Sequence, residues 1–331
     1  MTRTAGALLA GILLAALTGC VPAADAAAPT SEPPSPTPSV EPPPSIAAKP
    51  AVAFDGDCTA IIDDATLSDL VGGDVTAFTG QQNERVWAVA VLGGLECTWG
   101  SAASDPYVSL SVMPAAGLEA QVAEADPDSP YCYGNRCSFS TVVGGYWLSG
   151  IVGMADAADT ALDAIDAIVA LVADAAAAAA PVPAARPAGM WSAANDCAAL
   201  AWGVDTTSIL GEPFGAEPGG FGGEAAPGLY GSLRAVGDLP CVWSTPEYGR
   251  FFSSELMPGA GWAITELAAR AGAEPVVVDG ALQAIALPVD GGATAVYATD
   301  GVNLAWVTVP ADIDRASSSA LVAAFMAAAS R

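Results

Sequence analysis

A side-chain nucleophile needs a base beside it, and histidine, the usual base, does not occur anywhere in these 331 residues. That removes Ser-His-Asp and Cys-His catalysis, and the usual zinc ligand sets with them. Lysine occurs once, as Lys49 in a proline-rich stretch, so a Ser-Lys dyad inside a folded domain is excluded too. Gly219-Gly220-Phe221-Gly222-Gly223 lacks the Lys-Ser or Lys-Thr that completes a phosphate-binding loop, and it reads as a flexible loop. Carboxyl chemistry is left, in which one acid protonates and a second attacks or activates water. No such pair is marked in the sequence. Glu96 and Glu255 fall on expected strands, where acidic side chains are usually solvated. Neither Asp55-Gly56-Asp57 nor Asp126-Pro127-Asp128 continues into a calcium loop. The expectation is a protein that is not an enzyme, with no catalytic residues, no cofactor and no metal.

Charge narrows the partners. Against 36 acidic residues stand 10 basic ones, a formal charge of -26. Such a chain is repelled by nucleic acid and by anionic headgroups, and the scattered acidity reads as solubility in a salty exterior. The apolar run at residues 7–17 follows Arg3 and is too short to span a bilayer, which is the layout of a secretory signal. It ends in Leu17-Thr18-Gly19-Cys20. This motif resembles the lipobox of bacterial lipoproteins, and the resemblance implies cleavage before Cys20 and a diacylglyceryl group on its sulfur. Two acyl chains anchor stably where one would bind reversibly. Residues 21–50 are dense in proline, alanine, serine and threonine, too poor in apolar bulk for a core, and are expected to form an extended stalk.

The rest of the chain repeats itself. Asp57-Cys58-Thr59-Ala60 corresponds to Asp196-Cys197-Ala198-Ala199, and Leu95-Glu96-Cys97-Thr98-Trp99 to Leu239-Pro240-Cys241-Val242-Trp243. Met113 and Met257 follow the second cysteine of each copy at the same distance. The chain has seven cysteines, and with Cys20 lipidated six remain. Six allow fifteen pairings, from which the repeat selects Cys58 with Cys97 and Cys197 with Cys241, leaving Cys132 to pair with Cys137. Export makes oxidation expected. Trp99 and Trp243, two residues past their cysteines on a strand, share the sulfur's face and are read as core.

These elements predict an α+β fold of two similar small domains, each an antiparallel sheet with an N-terminal helix and an alanine-rich C-terminal helix, stapled by disulfides. In the first copy, Ile61, Ile62, Ala65, Leu67, Leu70 and Val71 form a helical stripe, and Gly134-Asn135 tips the Cys132 hairpin. In the second, residues 241–244 and 250–257 read as a hairpin, 262–271 as a helix, and 276–278, 282–287, 293–298 and 303–309 as strands. Closing helices are expected at 155–178 and 311–329. The boundaries are 1–19 for the signal, 20–50 for the lipidated cysteine and stalk, 51–180 for the first repeat, 181–190 for a Pro/Ala linker and 191–331 for the second repeat.

Lipobox, stalk, high alanine content and a domain opening with Asp-Cys-x-Ala and later Cys-x-Trp together resemble envelope lipoproteins of actinobacterial type. The resemblance spans the whole chain, with the lipobox as its one specific motif. It implies an exported protein anchored by lipid at the extracellular face of the cell membrane, and it carries over no catalytic residue. The tandem duplication and the Cys132 loop depart from the family's single-domain pattern. The expected function is a non-catalytic binding module for a wall polymer, a small solute or an envelope protein. A carboxylate hydrolase of envelope glycans and an assembly or spacing protein stay open as alternatives. Candidate contact residues are the aromatics not needed by a core: Trp87, Tyr131, Tyr133, Tyr146 and Trp147 in the first copy, and Phe221, Tyr230 and Tyr248 in the second.

Overall fold

Aspartates start several helices of this protein. In a computed structural model that describes residues 45–78, 84–101, 104–125, 130–154, 158–192, 196–219 and 226–331, Asp57 accepts the N–H of Thr59 and Asp196 that of Ala199. Each Asp-Cys-x-Ala motif thus opens a helical turn, because a carboxylate satisfies a donor the first turn leaves unpaired. Cys20 and Phe221 lie outside the described residues.

The first repeat runs through α1 (Asp64–Val71), α2 (Val86–Val91), β1 (Leu95–Ser101), β2 (Ser104–Pro114), α3 (Glu119–Glu124), β3 (Tyr131–Tyr133), β4 (Arg136–Val143), β5 (Tyr146–Gly153) and α4 (Ala158–Ala178). The second runs through α5 (Cys197–Trp202), α6 (Thr206–Leu210), β6 (Gly215–Pro218), α7 (Pro227–Val236), β7 (Leu239–Ser244), β8 (Phe251–Met257), α8 (Ala263–Ala268), β9 (Glu274–Pro275), β10 (Gln283–Pro288), β11 (Thr294–Thr299), β12 (Leu304–Val309) and α9 (Arg315–Ala329). The fold is α+β, as expected, with two antiparallel sheets. Their strand orders are β1-β2-β5-β4-β3 and β6-β7-β8-β12-β11-β10-β9. The four strands β1-β2-β5-β4 and the four strands β7-β8-β12-β11 share one strand order. The strand expected at 276–278 lies two residues earlier: Glu274 and Pro275 pair with β10, the Val276 N–H still donates to the Ala284 carbonyl, and a turn from Val278 to Ala281 then reverses the chain.

All three expected disulfides are present, Cys58–Cys97, Cys132–Cys137 and Cys197–Cys241. On β1 and β7 the two-residue period turns cysteine and tryptophan to one face. Trp99 and Trp243 are fully buried there, donating their indole N–H to Asp64 Oδ1 and Ser254 Oγ. The first of these outer cores is closed by α4 and the second by α9.

A third core lies between the two sheets, and both repeats build it. Helix α7 belongs to the second repeat in sequence yet packs on β5, β4 and β2 of the first. Its Gly228 N–H donates to Ser149 Oγ at 2.7 Å, and its Gly231 lies against the outer edge of the Trp147 ring. The equivalent helix α2 of the first repeat sends Trp87 the other way, edge-on to Trp262 and Trp306 of the second. The two helices also pack on each other. The second repeat therefore lends α7 to its neighbour, whereas α2 stays against β1 and β2 of its own sheet and reaches across the seam with Trp87. The 181–190 segment is laid along this seam: Arg186 donates to the Ala235 carbonyl, and Met190 packs on the shared core.

Gly231 tests this loan. A Cβ there would sit 2.2 Å from Trp147 Cη2, and the ring is fully buried with its indole N–H donated to Ser140 Oγ. Overpacking of this kind costs about 1–3 kcal/mol. Gly231→Ala is expected to lower the thermal midpoint, whereas Gly211→Ala, with open space around its Cβ, is expected to show only the smaller cost of its left-handed backbone.

Candidate ligand-binding cleft

Of the aromatics singled out above, the fold commits several to packing. Tyr146 and Trp147 are core: Tyr146 stacks on Phe54 and donates its hydroxyl to the Ala179 carbonyl. Neither presents a surface to a partner. Tyr230 is half-buried on α7. Tyr131, Tyr133 and Tyr248 are exposed, the last two at 75% and 71%. Tyr131 and Tyr133 stand on the Cys132 hairpin, while Tyr248 lies at the turn between β7 and β8, so the structure does not gather them into one patch.

Trp87 has a different place. It lines a cleft of about 610 Å³ where the repeats meet, within the range of small-molecule sites. The first repeat contributes the turn around Gly56, Asp57, Cys58 and Thr59, then Ala77, Phe78, Leu95 and Glu96, with Val86, Trp87 and Ala90 of α2. The second contributes Trp262 at the start of α8, Glu266 within it and Arg270 just beyond it. Lys49 completes the lining. Its ammonium lies 2.7 Å from Glu266 Oε1 and 4.8 Å from the centre of the Trp262 ring. The Arg270 guanidinium lies 5.8 Å over Trp87 and 2.7 Å from Glu84 Oε1. Both tryptophans therefore carry a cation on a face, as the negative π-cloud favours.

Glu96 departs from the expectation of a solvated strand residue. It is only 8% exposed, because the alternation that turns Cys97 outward to its own core turns Glu96 inward to the seam. Its carboxyl accepts hydrogen bonds from Ser109 Oγ, at 2.9 Å, and Ser111 Oγ. Burial pushes its pKa up to about 7, against the opposing pull of the two serines. Glu255 departs in the same way. Opposite Pro240 on the paired strand, it holds the rung that Ser111 holds opposite Glu96 in the first repeat. Each repeat thus places one carboxyl on this rung, but from opposite strands. Burial raises Glu255 to about 7 as well, restrained chiefly by the Arg85 guanidinium 3.6 Å away. Asp238 is sealed beside it, with no donor from another kind of side chain on either oxygen. Burial, then the Glu255 charge, hold Asp238 well above the ordinary carboxyl range. A contact between two acids needs a proton, so this pair keeps one where exposed carboxyls would have lost theirs.

The chemistry open to the cleft follows. Glycosidic hydrolysis needs two carboxyls facing one bond. Glu255 and Asp238 do not line the cleft. Of its other carboxyls, Asp57 is engaged in capping Thr59, whose hydrogen bonds lower its pKa, and Glu266 is paired with Lys49. Among the described residues no group of three metal-ligating side chains is present. The cleft offers apolar walls, two tryptophans and a few polar groups, an arrangement suited to holding a ligand. Sequence reasoning proposed Trp87 here and missed Lys49, Trp262 and Arg270. A tryptophan four residues before a glutamate, at the start of an expected helix, was the signal available for two of the site's groups.

Because folded Glu96 keeps its proton to about pH 7 while the unfolded chain loses it near 4.3, the folded state binds more protons in between, and stability falls as pH rises through that window. The full effect of Glu96 is roughly 4 kcal/mol at about 1.4 kcal/mol per pH unit. Glu96→Gln is expected to flatten the decline of the thermal midpoint between pH 5 and pH 8, leaving a residual slope from Glu255 and Asp238. An unchanged slope would mean that Glu96 ionises without cost. No protein-family model, curated protein or solved structure matches this chain, so the site rests on its own geometry.

Proposed function

We propose that this protein is an exported, lipid-tethered binding module of a bacterial cell envelope, non-catalytic, whose ligand site is the cleft between its two repeats. The observation that carries this reading is the cleft of about 610 Å³ with walls from both repeats. A pocket that exists only because the repeats interlock gives the duplication a role beyond a second copy. Its volume suits a small solute or one unit of a wall polymer rather than a protein surface. The leader, Cys20 and the proline-rich stretch after it support the tether, which would hold the cleft away from the lipid at the extracellular face of the membrane.

Thermal unfolding of the full chain against wall fragments, neutral sugars, amino acids and amines tests the site, since a ligand for the folded state alone raises the midpoint with concentration. A saturable rise that Ala90→Trp abolishes, by filling the cleft, is the expected outcome; a rise that this variant keeps places the ligand elsewhere. The tether is tested by fractionation. Cys20→Ala is expected to move the protein from the membrane to the soluble fraction, and unchanged fractionation would sink the lipid anchor.

A further inference from the structure

The geometry points to an organic ammonium ion as the ligand of this cleft, with Lys49 occupying the ammonium position from within the chain. This deepens the binding-module reading and rests on it. The site is built on one face of α8, where Trp262 and Glu266, four residues apart, project side by side. An ammonium held between an aromatic face and a carboxylate is stabilised twice, by the ring's quadrupole and by a charge-assisted hydrogen bond. Lys49 already sits in that arrangement, 4.8 Å from the Trp262 ring centre and 2.7 Å from Glu266 Oε1. It is the only lysine of the chain, so the molecule's one alkylammonium group has been placed in the cleft.

The backbone around Lys49 is fastened while its side chain is loosely held. Ile46 packs on the shared core, the Ala47 N–H donates to the Gly301 carbonyl at 2.7 Å, and the Ala53 N–H donates to the Gly93 carbonyl at 2.9 Å. The Lys49 side chain remains 50% exposed and that of Glu266 45%. A half-exposed ion pair and a cation–π contact in water are each weak, so an incoming ammonium with an apolar body can displace Lys49, whose butyl stem swings into solvent. Arg270 over Trp87 repeats the pattern, but its side chain is more buried and it is tied to Glu84, so it forms part of the wall. Once Lys49 has left, the carboxylates of Asp57 and Glu266 line the cleft against Arg270 alone, which Glu84 already neutralises. The remaining lining favours a cation over an anion, and a chain of charge -26 adds to that preference. Apolar walls from Val52, Ala77 and Phe78 suit the ligand's carbon body.

Calorimetric titration of the full chain with n-pentylammonium and, as the uncharged control, 1-pentanol tests the assignment. Lys49→Ala is expected to bind n-pentylammonium about tenfold more tightly than the parent, as removal of an internal competitor filling the site about nine-tenths of the time would give. Adding Glu266→Gln to Lys49→Ala is expected to undo that gain, with the thermal midpoint of both variants showing that they are folded. Lys49→Gln provides a second competitor-free form should the alanine variant unfold. Equal binding of n-pentylammonium and 1-pentanol would overturn the ammonium assignment while leaving the cleft a binding site. No binding of n-pentylammonium to either lysine variant would overturn the assignment outright, and the uncharged panel above then decides the cleft separately. A wall peptide with a free side-chain ammonium, compared with its acetylated form, separates the sources. Binding of the free form alone assigns the ammonium to a polymer, and binding of n-pentylammonium without either peptide assigns it to a small solute.

Discussion

The loan of helix α7 by the second repeat to the sheet of the first is the constraint on which the rest of this molecule depends. Each sheet has two faces, and each repeat covers the outer one with its own closing helix, α4 or α9. The inner faces carry Met113, Trp147, Met257, Leu304 and Trp306, too much apolar surface to leave in water. Helix α7 covers the first by crossing the seam, and α2, packed on β1 and β2 of its own sheet and on α7, turns Trp87 to the second. The side chains at the crossing are complementary: by the Leu95 and Leu239 register, Gly231 occupies in α7 the position of Trp87 in α2. Where the second repeat has no side chain, Trp147 of the first fills the space. Where the first repeat has Trp87, the second surrounds it with Trp262 and Trp306. Neither the placement of the two helices nor the filling between them is symmetric.

The same asymmetry distributes charge. Glu84 and Arg85 at the start of α2 meet Arg270, Tyr297 and Glu255 across the seam, whereas the equivalent positions in α7 are Gly228 and Leu229. Buried ionic groups of this kind add little net stability over apolar packing, because desolvation offsets attraction, but an unmatched alternative arrangement would strand them. Keeping one proton between Asp238 and Glu255 limits the charge that must be buried. Tyr297 is held neutral by the same surroundings, its hydroxyl pushed up by burial and by Glu84.

The cleft is a by-product of that seam put to use. Its tryptophans are there because α2 and the start of α8 must bury apolar surface, and its cations are there because tryptophan faces and carboxylates attract them. The segment that carries Lys49 enters the fold across the second repeat at Gly301 and reaches the first at Gly93, so this segment and the cleft are parts of one arrangement.

Much of this was legible in the amino-acid order. The exclusions follow from residues the chain does not have, and no fold can supply a missing histidine. The repeat, the three disulfides and the helix starts follow from local rules: equivalent cysteines, a carboxylate one residue before a helical turn, and alternation that turns Cys97 and Trp99 together into a core. Other features are relations between distant segments, and these only the tertiary structure decided. Alternation shows that Glu96 and Glu255 face away from the disulfide, but whether that other face meets water or a second sheet is not written locally, and their ionisation depends on it. An apolar stripe on α7 says that the helix must be covered; it does not say whose sheet will cover it. Lys49 reads as one charge near the end of a proline-rich stretch until Trp262 and Glu266, more than two hundred residues away, are brought beside it.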